Sequence, residues 1–198
     1  MFAVKPRFWA ANIRSGAVDL MVGLSVVLFI NHAGGHLSTQ VLWAVLYAVW
    51  LLFIKPLSDE PGIIAQAFIG QLAALSALYL TWTGGPIYGL TFLSGLFCFL
   101  AARHFFDAFD EPYARMLSYV WGYFGAALTW LLSHWLLFYR GVAQPTLLLS
   151  TLGYGLAMLY YLDHNDRLST NVRRQFVFIM IAIALVIITF SDWGDKVV

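Results

Sequence analysis

Arg103-His104-Phe105-Phe106-Asp107-Ala108-Phe109-Asp110-Glu111-Pro112-Tyr113-Ala114-Arg115 decides how the chain is threaded. Six of these thirteen residues are acids, arginines or a histidine, in a protein where Asp, Glu, Lys and Arg make up only 11%. Long apolar stretches flank the segment on both sides, so it reads as a polar seam between two membrane-sized halves. Soluble domains are typically about 45–50% apolar and about 25% charged. This chain is 61% hydrophobic with a mean hydropathy of +0.78. The expected fold class is therefore all-α, a polytopic integral membrane protein.

Outward from the seam, seven stretches approach the roughly 20 apolar residues that a helix needs to cross a bilayer. They run over Gly16–Ala33, Leu37–Ile54, Gly62–Thr83, Pro86–Phe106, Tyr113–Tyr139, Pro145–Leu162 and Gln175–Asp192. The linkers alternate in character. Those at Gly34–Gly35, Gly84–Pro86 and Gly141–Pro145 are short and nearly uncharged. Those at Lys55–Pro61, Arg103–Arg115 and Asp163–Arg174 are longer and charged.

With the N-terminus on the charged-linker side, that side holds Lys5, Arg7, Arg14, Lys55, Arg103, Arg115, Arg167, Arg173 and Arg174. The other side holds only Arg140 and Lys196. Nine against two is a positive-inside bias, and it places the N-terminus inside and the C-terminus outside a seven-helix bundle. Met1–Gly35 has the outline of a signal peptide. Asp19 within its apolar part and the lack of a small-x-small cleavage site favour a retained first span. The expected location is a multi-pass protein of the plasma or inner membrane, forming one transmembrane domain over residues 1–198. The bilayer is its first partner, with a membrane complex or a homo-oligomer as further possibilities.

In lipid, helices associate through close backbone approach and interhelical hydrogen bonds. Gly70 with Ala74, Gly122 with Ala126, and Gly153 with Ala157 are small-x3-small pairs suited to that packing. The seventh span has only Ala182 and Ala184 as small residues in a run of Ile, Val and Phe, so it is expected at the periphery. Trp82, Trp135 and Trp193 fall near outer ends, as an interfacial belt requires. A single cysteine, Cys98, excludes an internal disulfide framework and reads as a small apolar helix residue. A net charge of +1 offers no basic surface for nucleic acid.

Three groups of residues can carry chemistry. On a helix continued past Phe106, His104, Asp107 and Glu111 fall at i, i+3 and i+7 on one face. Asp163 and His164 join them from the third charged linker, giving ligands suited to a divalent cation. In a membrane enzyme acting on a lipid or lipid-phosphate, His104, Asp107, Asp110, Glu111 and Arg115 are the catalytic candidates, with Arg103 and Arg115 available to a phosphate. The bland alternative is that these residues cap helix ends, pair and reach the interface. Within the spans, Asp19, Gln66, Gln71 and His134 are the substrate-binding candidates, since a polar group at membrane depth is costly. At the outer end, His32, His36, His134 and Asp192 could hold a metal or a quinone, although Gly34 and Gly35 favour a turn between the first two.

Family resemblances fail on residues. Asp110-Glu111-Pro112-Tyr113-Ala114-Arg115 looks like the Asp-Gly-x-x-Ala-Arg opening of the CDP-alcohol phosphotransferases. Here Glu111 replaces the glycine, and Met116–Tyr139 contains no acid to supply that family's two further aspartates. Gln175–Asp192 has neither the lysine of a retinal protein nor the histidines of the progestin-receptor and haemolysin-III type hydrolases. Asp59-Glu60-Pro61 and Asp110-Glu111-Pro112 repeat as acid-proline helix starts. The leading expectation is a small transporter or substrate-binding membrane subunit. The lipid enzyme is second, and a structural subunit of a membrane complex third.

Overall fold

The computed structural model describes residues 16–82, 85–134, 138–139 and 141–191. Lys5, Arg7, Arg14, Trp135, Arg140, Asp192, Trp193 and Lys196 lie outside the described residues. The described chain is a bundle of seven helices. They are α1 (Ala17–His32), α2 (Leu37–Ile54), α3 (Glu60–Thr81), α4 (Ile87–Ala108), α5 (Ala114–Ser133), α6 (Gln144–His164) and α7 (Thr170–Phe190). Five of them, α2, α3, α4, α6 and α7, are long and apolar enough to cross a membrane, and α1 is a shorter apolar helix.

The helices alternate in direction, so the three charged linkers meet at one end. Asn165 donates to Glu60 Oε2 at 2.9 Å, the Tyr160 hydroxyl donates to Glu111 Oε2, and the Phe109 and His164 rings meet edge to face at 5.5 Å. The uncharged linkers lie at the opposite end. Between α1 and α2, Gly34 (φ 57°) and Gly35 (φ 91°) take the left-handed backbone that glycine adopts without strain.

α3 is the central helix, in contact with α1, α4 and α6. Ala67, Gly70, Ala74 and Ala77 recur every three or four residues along it and are buried, which lets neighbouring backbones approach. A Cβ on Gly70 would stand 2.7 Å from the Val18 side chain of α1. The most extensive helix pair is α4 with α5. There a Cβ on Gly95 would meet the Gly122 carbonyl at 2.9 Å, and one on Gly125 would meet Cys98 Sγ at 2.6 Å. Cys98 is fully buried in this seam as a small apolar residue. Among the described residues α7 packs chiefly on α6, burying Met180 and Ile187, and α2 buries only Trp50, against α1. Both peripheral helices turn large apolar side chains outward, as lipid-facing helices do.

Three boundaries differ from the sequence expectation. The fifth span ends at Ser133, six residues short of Tyr139. Phe138 and Tyr139 instead pair antiparallel with Ala143 and Val142, in a two-residue ladder closed by Gly141 at φ 92°. Aromatic residues fit an extended ladder, and glycine takes the turn that no other residue adopts freely. α7 starts at Thr170, because Ser169 Oγ accepts from the Val172 N–H at 3.3 Å and caps the helix. Arg173 and Arg174 thus sit in its first turn and not in a linker. The two Asp-Glu-Pro segments also diverge. Asp59 holds the N-cap position of α3, without a side-chain cap bond, and Pro61 lies in the first turn, whereas Asp110 turns left-handed (φ 48°) and α5 starts only at Ala114.

Candidate functional site

The bundle is not uniformly packed. α5 and α6 meet at few points, and the space between them opens into an apolar cleft of about 320 Å³ lined by α3, α4, α5 and α6. Ligand pockets typically occupy about 300–1,000 Å³ and are mostly apolar with a few placed polar groups. Aromatic side chains dominate the walls: Phe68, Phe105, Phe106, Trp121, Tyr154 and Tyr160. Val120 and Tyr154 are exposed at the rim, where a lipid-facing surface passes into the interior.

Gly153 and Ala157, paired in sequence as packing residues, line this cleft instead of closing a helix pair. The reason is Trp121. A Cβ on Gly153 would stand 3.1 Å from the Trp121 ring, so indole fills the place of a close helix neighbour.

The deep wall carries the cleft's polar groups. Gln71 lies about halfway along α3, and its Oε1 accepts from Trp121 Nε1 at 3.0 Å while its Nε2 donates to the Leu149 carbonyl at 3.0 Å. One side chain thereby links α3 to α5 and α6. Ser150, the next residue on α6, is 3% exposed, lines the same cleft, and its Oγ has no hydrogen-bond partner among the described residues.

Toward the charged linkers the cleft ends in a knot of rings. Phe105, Phe106 and Phe109 each meet Tyr160 at 5.5 Å, tilted by 76° to 87°, and His164 stacks on Tyr160 at 6.0 Å. The Tyr160–Glu111 hydrogen bond ties this knot to the α4–α5 linker. On the far side of Phe106 lies a charged recess of about 300 Å³ lined by Arg103, Asp107, Asp110, Glu111 and Arg115.

The candidate residues of the seam do not share one face. Arg103 holds Asp107 in a two-point ion pair, with Nη2 to Oδ1 at 2.7 Å and Nε to Oδ2 at 2.9 Å. His104 turns the other way, its Nε2 donating to Gln66 Oε1 at 3.0 Å. Because the helix stops at Ala108 and Asp110 turns left-handed, Glu111 leaves that face and reaches Tyr160. Arg115 lies over the Tyr119 ring at 5.9 Å. Asp163 is exposed, and His164 packs on Phe109 and Tyr160. Among the described residues no three acids, histidines or cysteines come together to hold a metal ion. The proposed ligand set of His104, Asp107, Glu111, Asp163 and His164 is therefore not assembled here.

The intramembrane candidates are also separated. Asp19 pairs with Lys55 at 3.0 Å. Gln66 is committed to structure: its Nε2 donates to the carbonyls of Ile54 (2.9 Å), Lys55 (3.3 Å) and Leu57 (2.8 Å). Those carbonyls are freed where α2 ends in a π-helical turn over Trp50–Ile54, and a helix end needs such partners. Gln71 alone of the four lines the cleft. His134 is exposed at the opposite end, capping α5 with Nδ1 donating to the Trp130 carbonyl at 2.7 Å. His32 and His36 flank the glycine turn on different helices and do not share a face. Asp192, their proposed companion, lies outside the described residues.

Trp121, Ser150 and Tyr160 escaped the sequence reading, and Gly153 entered it only as a packing residue. Their residue types are ordinary in apolar helices, and only the spacing of Gly153 gave a signal, which pointed equally to packing. The chain matches no protein-family model, no curated protein and no solved structure.

Proposed function

We propose that this chain is a substrate-binding membrane protein that holds a bilayer-borne apolar molecule in the cleft between α5 and α6. The observation that carries this reading is the cleft itself: about 320 Å³, aromatic-walled and open sideways where lipid would lie. A molecule already dissolved in the bilayer enters such an opening without crossing water. Binding draws on dispersion contacts with tightly held rings, because apolar burial gains little when the solvent is itself hydrocarbon. On this reading the protein sits in the plasma or inner membrane, with the charged linkers on the inside that the charge bias favours.

Photolabelling of the full chain in membranes with a long-chain alkyl diazirine tests the reading. The expected result is saturable labelling of the α3, α5 and α6 segments around Phe68, Val120 and Tyr154. Labelling spread evenly over α2 and α7, with no enrichment at these segments, rejects it.

One observation favours a second reading. Phe106 lines both the cleft and the charged recess, so a ligand's polar end lies near Arg103, Glu111 and Arg115. In that reading the chain acts on a lipid-phosphate there, and turnover of a phosphatidic acid by the purified protein is the discriminating assay.

A further inference from the structure

The cleft's deep wall makes a more specific demand on its ligand than its apolar lining does. Ser150 is buried, is among the residues that line the cleft, and has a buried Oγ with no partner among the described residues. Gln71 has two amide hydrogens and spends one on the Leu149 carbonyl, the residue before Ser150. Its Oε1 is occupied by Trp121. What the wall has left is one hydroxyl on α6, which can donate or accept, and one amide N–H on α3, and only an acceptor can pair with both. Leaving buried donors unpaired is costly, so a ligand seated here is selected for an acceptor.

The acceptor is neutral. The charged side chains of the recess lie beyond Phe106 and the Phe105–Phe109–Tyr160 knot, at the far end of the cleft from Gln71. Among the described residues no Asp, Glu, Lys, Arg or His lines the cleft. An anion at mid-depth would lack a counter-charge, and an ionised group there is costly. The walls favour a ring, since aromatic side chains stack on flat partners in offset or edge-on geometry. Gln71 lies about eleven residues from either end of α3, which sets the oxygen deep in the bundle, far from the level of a phospholipid's charged phosphate.

We infer that the cleft binds an apolar ring system bearing a neutral acceptor oxygen, a ring ketone or ring hydroxyl, with that oxygen on Ser150 and Gln71. This inference rests on the cleft being a ligand site. Two membrane sources share this chemistry: a quinone, through its carbonyl, and a sterol, through its hydroxyl.

The experiment is competition against the alkyl-diazirine label on the full chain, using decylubiquinone, cholesterol and dodecylbenzene as competitors. At least one oxygen-bearing competitor is expected to displace the label at lower concentration than dodecylbenzene, and which one does so identifies the source. In Ser150→Ala its half-displacing concentration rises about fivefold, as for loss of one neutral hydrogen bond, while that of dodecylbenzene stays unchanged. Ser150→Thr, which keeps the hydroxyl, retains the preference. If dodecylbenzene competes as well as both oxygen-bearing probes, or if Ser150→Ala changes nothing, the inference is overturned while the cleft remains a ligand site. If the label never enriches on α3, α5 and α6 in the unaltered chain, the underlying reading fails instead.

Discussion

Gln71 Oε1 accepts a hydrogen bond from Trp121 Nε1 at 3.0 Å, joining the middle of α3 to α5 across the floor of the cleft. The amide of the same Gln71 reaches the Leu149 carbonyl on α6, so one side chain spaces the three helices whose separation makes the cavity. In a bilayer such bonds are worth about 0.6–2 kcal/mol each. Trp121→Phe and Gln71→Leu are expected to lower thermal stability in detergent by amounts of that order. The double variant should lose little more than the worse single, because both remove the same bond. Additive losses in a double-mutant cycle would show that the two side chains do not cooperate.

The α4–α5 seam has no room for another methyl group. Gly125→Ala would drive a Cβ to 2.6 Å from Cys98 Sγ and 2.9 Å from Cys98 Cβ, and neither helix backbone can yield easily. Overpacking of this kind costs about 1–3 kcal/mol. Gly155→Ala would meet Met180 at Sδ and at Cγ (2.7 Å), a long side chain that can change rotamer, and is expected to cost less than Gly125→Ala. Unfolding temperatures of the two variants, measured side by side, check the contrast, and equal losses would contradict it.

Gln66 and Lys55 are neighbours with unequal roles. Gln66→Leu strips the donor from three carbonyls at the end of α2 and the acceptor from His104, leaving several polar groups unpaired. Lys55→Met removes an ion pair whose two side chains are 48% and 35% exposed, and partly solvated pairs contribute about 1 kcal/mol or less. Gln66→Leu is therefore expected to lower the unfolding temperature distinctly more than Lys55→Met. Hydrogen exchange should place its effect at Trp50–Ile54.

The Tyr160–Glu111 bond is a tie between α6 and the α4–α5 linker at the cleft's charged end. Glu111→Ala should raise amide hydrogen exchange at Tyr113 and over Tyr160–His164 while leaving α4 and α5 protected. Uniform exchange across the bundle would mean instead that Glu111 supports global stability.

The positive-inside bias predicts an orientation that cysteine labelling can read. In a Cys98→Ala background, Ser58→Cys lies in a charged linker and Thr39→Cys lies near the opposite end of the bundle. A membrane-impermeant maleimide applied to intact cells should label Thr39→Cys at once and Ser58→Cys only after permeabilisation. The reverse pattern would invert the topology.

Much of this architecture is legible in the chain because lipid imposes one demand on every span. Backbone polar groups must be paired within the segment, so apolar stretches of sufficient length become helices whatever surrounds them. Leu37–Ile54 kept its expected limits, and α7 packs chiefly on α6, at the periphery, as its shortage of small residues suggested. Legibility stopped at side-chain direction. His104, Asp107 and Glu111 share a face only on a helix that continues, and a single left-handed residue at Asp110 disperses them to Gln66, Arg103 and Tyr160. Gly153 and Ala157 carry the same spacing as Gly122 and Ala126, yet the first pair lines a cavity and the second closes a seam.

The sequence by itself determined the helix count and the alternation of charged and uncharged linkers. These follow from local quantities, the length of an apolar run and the sign of the charges beside it. Only the tertiary structure decided that Gln66 caps a helix while Gln71 floors a cleft, and that Trp121 keeps α5 and α6 apart. Which polar groups are satisfied and which are left facing a cavity depends on what neighbouring helices bring within about 3 Å, the reach of a hydrogen bond. Nothing in the period of a single helix encodes that distance.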